Sequence, residues 1–144
     1  MHVTRYTDYS LRVLMYLATR EGSTTIQEIA DNYSISKNHL MKVVQALNNK
    51  GYVKATRGKN GGVTLGVEAE SINLGQLVRE MEQGSPLVEC FGENGTCVIT
   101  PACHLKTVFA EALESFFSTL DNYSLADLVP KNKRKELQKL LNIG

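Results

Sequence analysis

Thr25-Ile26-Gln27-Glu28-Ile29-Ala30-Asp31-Asn32-Tyr33-Ser34-Ile35-Ser36-Lys37-Asn38-His39-Leu40-Met41-Lys42-Val43-Val44-Gln45-Ala46-Leu47 decides the fold. Thr25 and Glu28 are the residue types of a capping box, and Ile26, Ile29, Ala30 and Tyr33 follow at helical spacing. After a break at Ser34-Ile35, Ser36 can cap another helix whose apolar stripe is Leu40, Val43, Val44 and Leu47. Two short helices joined by a tight turn form a helix-turn-helix pattern. The outward positions near the start of the second helix are Lys37, Asn38, His39, Lys42 and Gln45.

Downstream, Gly51 stops that helix and the period changes. Tyr52 to Thr56 and Val63 to Leu65 are short and β-prone, while Asn60-Gly61-Gly62 offers residues that tolerate the positive φ of a hairpin turn. This predicts a two-stranded wing with Arg57 and Lys59 near its tip. Upstream, Leu11, Leu14, Met15 and Ala18 place one apolar face on a helix from about Thr7 to Arg20. Helix-turn-helix followed directly by a basic hairpin is the winged-helix arrangement, so the expected partner is double-stranded DNA.

Charge supports that expectation. Residues 1–66 carry nine Lys/Arg against four Asp/Glu, while residues 67–144 carry seven against eleven, so a net charge of +1 hides halves of +5 and −4. No acid stands between Asp31 and Glu68, an interval holding Lys37, Lys42, Lys50, Lys54, Arg57 and Lys59. A polyanion would meet a basic face there. Ser36, Lys37, Asn38, His39, Lys42, Arg57, Lys59, Asn60 and Gly61 are the candidate DNA-contacting residues.

A fourth helix with Leu74, Leu77, Val78 and Met81 on one face leads into Gly84 to Cys103, which holds all three cysteines. Two prolines and three glycines in this segment argue against regular structure. Beyond it, His104 to Leu120 is the longest helical pattern, and Leu105, Val108, Phe109, Ala112, Leu113, Phe116, Phe117 and Leu120 give it more apolar surface than one exposed helix tolerates. A second copy of the chain is the expected cover, making a two-fold homodimer. Ser124 to Asp127 reads as a capping box, and Pro130 opens a basic tail with Leu137, Leu140 and Leu141 on one face. The expected fold is mainly α with a small β-hairpin: a winged helix-turn-helix plus a long C-terminal dimerisation helix. Its expected divisions are a winged-helix domain at 1–83, a cysteine loop at 84–103, the dimerisation helix and following turn at 104–129, and the tail at 130–144.

The cysteine spacing is Cys90-x6-Cys97-x5-Cys103. Zinc ribbons and fingers usually open with cysteines two to four residues apart, which this chain lacks. Three thiolates suit an iron-sulfur cluster with one position left for another ligand. Zinc held with the help of His104, or thiols that react or merely pack, remain open on spacing alone.

Of the 144 residues, 42% are hydrophobic and 22% charged, a globular composition. No apolar run approaches membrane-spanning length, and an odd cysteine count without a secretion signal suggests a reducing, cytoplasmic setting. No nucleophile and base pairing, phosphate loop or carboxylate pair supports catalysis.

Tyr6-Thr7-Asp8-Tyr9-Ser10-Leu11-Arg12, Ser36 to Leu40, Arg57-Gly58-Lys59-Asn60-Gly61-Gly62 and the three-cysteine loop, taken in order, resemble the bacterial winged-helix iron-sulfur regulators that include NsrR and IscR. The resemblance spans about residues 1–129 and is closer to the NsrR-like members through Ile99-Thr100-Pro101-Ala102-Cys103 and Leu120 to Val129. IscR-like members carry a ligand histidine three residues after the last cysteine, where this chain has Lys106. The resemblance implies a repressor that is sensitive to nitric oxide and binds an inverted-repeat operator as a homodimer. It also implies an iron-sulfur cluster, [4Fe-4S] before [2Fe-2S], held by Cys90, Cys97 and Cys103 and completed by Asp8 of the other subunit. Arg12 would then hold Asp8 in place or form an ordinary helix-face ion pair. A regulator responding to iron, redox or cluster supply, and a zinc-stabilised winged-helix adaptor, are the alternatives.

Overall fold

The computed structural model describes every residue except Asn60, Asn94 and Gly144. The helices are α1 (Arg5–Ala18), α2 (Ile26–Tyr33), α3 (Lys37–Asn49), α4 (Leu74–Met81), α5 (His104–Leu120), α6 (Leu125–Leu128) and α7 (Lys131–Leu140). Strands β1 (Val53–Thr56) and β2 (Gly62–Leu65) lie between α3 and α4. The chain divides into two compact units, one of Arg5–Ile72 with the segment from Ser124 onward, the other of Met1–Thr4 with Asn73–Tyr123.

The first unit is built around α1, which meets α3, α6 and β2. Contact on several sides explains why α1 buries more than one stripe. Val13, Leu14, Tyr16 and Leu17 are buried, whereas Leu11, Met15 and Ala18 of the expected face are only half-buried. Helix α2 begins as its sequence predicts, the Thr25 hydroxyl accepting from the Glu28 amide at 3.1 Å. The Glu28 carboxylate turns outward to the Thr24 hydroxyl (2.6 Å) and Arg20 (3.3 Å). Ser34 ends α2 in the left-handed region (φ 56°), and the Ile35 amide donates to the Ala30 carbonyl at 2.9 Å. Helix α3 then starts under the Ser36 cap and buries Leu40, Val43, Val44 and Leu47, the stripe its spacing predicts.

The wing is antiparallel, with Val53 opposite Leu65 and Thr56 opposite Gly62. Thr24 adds an isolated bridge to Val63, with amide to carbonyl distances of 3.1 and 2.7 Å, a third pairing partner that its sequence gives no sign of. The positive φ expected of Asn60-Gly61-Gly62 falls at Gly58 instead (φ 102°), while Asn60 lies outside the described residues. Gly61 and Gly62 meet a different demand, close approach. A Cβ on Gly61 would stand 2.7 Å from the Arg57 carbonyl carbon, and one on Gly62 would stand 2.9 Å from the Ser23 Cβ.

The C-terminal segment completes this unit. Ser124 and Asp127 form the predicted capping box, and α6 seats the fully buried Leu125, whose amide donates to the Ile72 carbonyl at 2.9 Å. On α7, the Gln138 side chain donates to the Thr19 carbonyl (2.8 Å), and Asn142 beyond it donates to Asn32 (3.4 Å). Leu141 is buried and Leu137 half-buried, but Leu140 points to solvent. The basic tail is thus a helix bound to the winged-helix unit.

In the second unit, Asn73 caps α4 by accepting from the Gln76 amide (2.9 Å) and donates to the Asp121 carbonyl at the end of α5 (2.7 Å). Arg79 of α4 pairs with Glu114 (3.0 Å) and Asp121 (2.6 Å). At the other end of α4, the Glu82 carboxylate accepts from the Thr4 amide (3.0 Å) and hydroxyl (2.8 Å). Helix α5 starts at His104, as expected, but buries none of its residues; Leu105, Val108 and Phe116 are among the most exposed large apolar side chains in the chain. Among the described residues no helix is long and apolar enough to cross a membrane.

Candidate functional site

Burial of Leu40, Val43, Val44 and Leu47 sets the rotation of α3. The opposite face is therefore fixed, and Ser36, Lys37, Asn38, Met41, Lys42 and Gln45 are all exposed. His39 is the exception among the predicted contacts of α3. Its ring is half-buried and sits edge-on to Tyr9 of α1 with centroids 4.8 Å apart. In the wing, Arg57 and Lys59 are exposed and Gly61 is half-buried, while the predicted contact Asn60 lies outside the described residues. The Ala55 amide donates to the Asn48 side chain at 3.1 Å, which ties β1 to the end of α3. Helix and wing thus belong to one packed unit, and their basic side chains are free to meet phosphate.

Asp8 lies in the first turn of α1 and Arg12 one turn later grips it with two hydrogen bonds, at 3.1 and 3.0 Å. The guanidinium also lies over the rings of Tyr9 (5.4 Å) and Tyr33 (5.9 Å). The Tyr33 hydroxyl donates to the Arg12 carbonyl at 2.9 Å. Burial pushes that hydroxyl up to about 12, against the pull of the Arg12 guanidinium toward ionisation. Asp8 is half-exposed, so its carboxylate is held in place yet accessible.

Among its described residues the regular structure of the cysteine segment is two short 3-10 turns, Glu89–Phe91 and Thr100–Ala102. Its hydrogen bonds are local: Glu89 accepts from the Thr96 amide (3.3 Å) and hydroxyl (3.0 Å), and the Thr100 hydroxyl donates to the Cys97 carbonyl (2.9 Å). Cys90 and Cys103 are half-buried, Cys97 is exposed and all three are free thiols. Three soft donors without a disulfide fit an iron-sulfur cluster or a soft metal ion. Among the described residues, however, no three His, Cys, Asp or Glu side chains are gathered for a metal. The segment carries a suitable donor set without assembling it.

Residues 3–131 match the family model described as Rrf2, iron-dependent transcriptional regulator. The chain belongs to the Rrf2 family. It is 51% identical over 146 residues to the HTH-type transcriptional regulator NsrR of Bacillus subtilis strain 168, covering 99% of each chain. It is 48% identical over 145 residues to NsrR of Bacillus licheniformis, covering 99% of this chain and all of the relative. Among solved structures, the oxidised form of Staphylococcus aureus CymR superposes with a TM-score of 0.70 at 25% identity, covering 89% of this chain and 95% of that one. The likeness to NsrR-like members noted from the motifs therefore extends over nearly the whole length. This Rrf2 protein is a winged-helix transcriptional regulator, and its relatives are named as regulators, not enzymes.

Two features of the Rrf2 chain escape its motifs. Met41, 47% exposed, stands in the middle of the outward face of α3. Helical spacing from Leu40 and Val44 already turns it outward, but an apolar residue among apolar neighbours reads as core. The Tyr9 to His39 contact joins residues thirty positions apart and leaves no local signature.

Proposed function

We propose that this protein is a cytoplasmic, nitric-oxide-sensitive repressor that binds an inverted-repeat operator as an iron-sulfur homodimer. The near full-length likeness to NsrR of Bacillus subtilis carries this reading. Helix α3 enters the major groove with Asn38 toward base edges and Lys37 and Lys42 toward the backbone. Ser36 caps that helix, His39 braces it against Tyr9, and Arg57, Lys59, Asn60 and Gly61 place the wing beside a phosphate strand or in the minor groove. The exposed apolar face of α5 meets a second copy and sets the distance between half-sites.

Cys90, Cys97 and Cys103 would hold the cluster, with Asp8 of the other subunit as the fourth ligand and Arg12 positioning its carboxylate. A cluster held there, [4Fe-4S] in preference to [2Fe-2S], would supply iron that is reactive toward nitric oxide. The rest of the switch belongs to the chain. Ligated, the three cysteines would order a segment whose hydrogen bonds among the described residues are local, so binding energy would become ordering energy. Released, they free that segment, and Asp8 returns to Arg12 alone. Typical coupling energies of about 1 to 3 kcal/mol change affinity by about 5- to 150-fold.

The test is an anaerobic absorption spectrum with iron and sulfide analysis, followed by titration with nitric oxide while operator binding is monitored. A brown protein losing its cluster band and its DNA affinity in step is expected, and Cys97→Ala should lose both from the outset. Full-affinity binding by cluster-free Cys97→Ala would refute the switch. A colourless, zinc-containing protein would leave a winged-helix binder or adaptor, whereas a cluster-loaded protein indifferent to nitric oxide would turn the reading toward iron or cluster supply.

A further inference from the structure

Four exposed residues of α3, namely Asn38, Met41, Lys42 and Gln45, fall at i, i+3, i+4 and i+7 and share one face, opposite the buried Leu40, Val43, Val44 and Leu47. Three of them are donors or cations. Met41 is the exception, a large apolar side chain with 47% of its surface in water. The chain leaves it substantially exposed, and it stands where the surrounding residues are suited to hydrogen bonding and charge. The face is suited to a polyanion, since no acidic residue occurs between Asp31 and Glu68 while Lys37, Lys42, Lys54 and Arg57 are exposed.

In the major groove the bases present hydrogen-bonding groups and one apolar group, the thymine C5-methyl. We propose that Met41 reads thymine, its thioether side chain packing on that methyl group at one position of each half-site. This deepens the DNA-binding reading above and rests on it. Methionine suits the task because its unbranched, polarisable chain reaches outward and adapts its shape. Its neighbours suit the same base pair. Asn38 and Gln45 carry the amide that pairs bidentately with adenine, and they lie about one turn to either side along the helix. His39 does not compete for this position, because its ring is turned to Tyr9.

The experiment uses the full chain, prepared anaerobically, and an operator selected by that chain from random duplexes. Each thymine is replaced in turn by deoxyuridine, which removes the C5-methyl and nothing else. At one thymine per half-site the unmodified protein should lose about 3- to 10-fold in affinity, the scale of one buried methyl group. Met41→Ala should lose a similar factor on the thymine duplex and nothing further at that site on the deoxyuridine duplex, while Met41→Leu should keep most of the discrimination. A merely helix-stabilising Met41 would leave the deoxyuridine penalties of Met41→Ala equal to those of the unmodified protein, and that result overturns the inference. So does successful selection of an operator in which no deoxyuridine position matters. A chain that selects no sequence at all overturns the DNA-binding reading itself, and this inference with it.

Discussion

The unit of α1 to α3 and the unit of α4 and α5 bury their apolar residues very differently. In the first, Val13, Leu14, Tyr16, Ile29, Leu40, Val43, Val44 and Leu47 are essentially without solvent contact. In the second, the buried apolar side chains all belong to α4, whereas α5 contributes none despite being the longest helix. The first unit therefore carries its own core within one chain. The second leaves a long apolar face in water, a state that hydrophobic burial penalises unless the face is covered. The winged-helix unit is thus closed around its own core, while the unit that bears the thiols leaves the apolar side of α5 open.

The sharpest way to break this contrast is to remove bulk from each side. Leu47→Ala should cost about 2 to 5 kcal/mol of stability, the usual range for truncating a fully buried leucine, measured by denaturant unfolding. Phe116→Ala, at a position 43% exposed, should change the unfolding of dilute protein by less than about 1 kcal/mol. Its effect should appear in self-association, which sedimentation equilibrium should find weakened about tenfold or more, as expected of an aromatic anchor. If Phe116→Ala instead unfolded the dilute chain as severely as Leu47→Ala, α5 would be core and the contrast would fall.

A smaller effect tests whether the second unit has any tight joint of its own. Gly75 of α4 is buried, and a Cβ there would collide with the Asp121 carboxylate and stand 2.8 Å from the Asp121 amide nitrogen. Gly75→Ala should therefore force α4 and the end of α5 apart and cost about 1 to 3 kcal/mol, despite alanine being the better helix former. Denaturant unfolding checks this. A stabilised Gly75→Ala would mean that helix propensity wins and the joint is loose.

How much of this was legible in the sequence follows the same division. The stripe Leu40, Val43, Val44 and Leu47 and the Thr25 and Ser36 caps are local, and local rules found them. The buried face of α1 is not legible in its spacing because that helix touches neighbours on several sides, which no single periodicity encodes. In the wing, the glycine run has the composition of a turn, but Gly61 and Gly62 are small because Arg57 and Ser23 lie against them. The tail offered only charge and three leucines, since its anchors, Gln138 to Thr19 and Asn142 to Asn32, span more than a hundred residues. For the candidate site, the outward face of α3 was legible apart from Met41, and the His39 contact with Tyr9 was not. The cysteines were identifiable by chemistry, but three donors on an irregular segment carry no pattern that says when they converge.

The smallest expected effects come from the helix caps, and they compare the two units on equal terms. Thr25 makes one capping bond in the first unit, to the Glu28 amide at 3.1 Å. Asn73 makes two in the second, accepting from Gln76 and donating to the Asp121 carbonyl, so it both starts α4 and ties it to the end of α5. Thr25→Ala should cost about 1 kcal/mol, and Asn73→Ala somewhat more, up to about 2 kcal/mol. Asn73→Ser separates the two roles, because serine keeps a capping oxygen but has no amide to reach Asp121. If the tie matters, Asn73→Ser should recover only part of the loss in denaturant unfolding. Full recovery would reduce Asn73 to an ordinary cap and leave the polar joint between α4 and the end of α5 to Arg79 and to the Leu74 amide on the Tyr123 carbonyl.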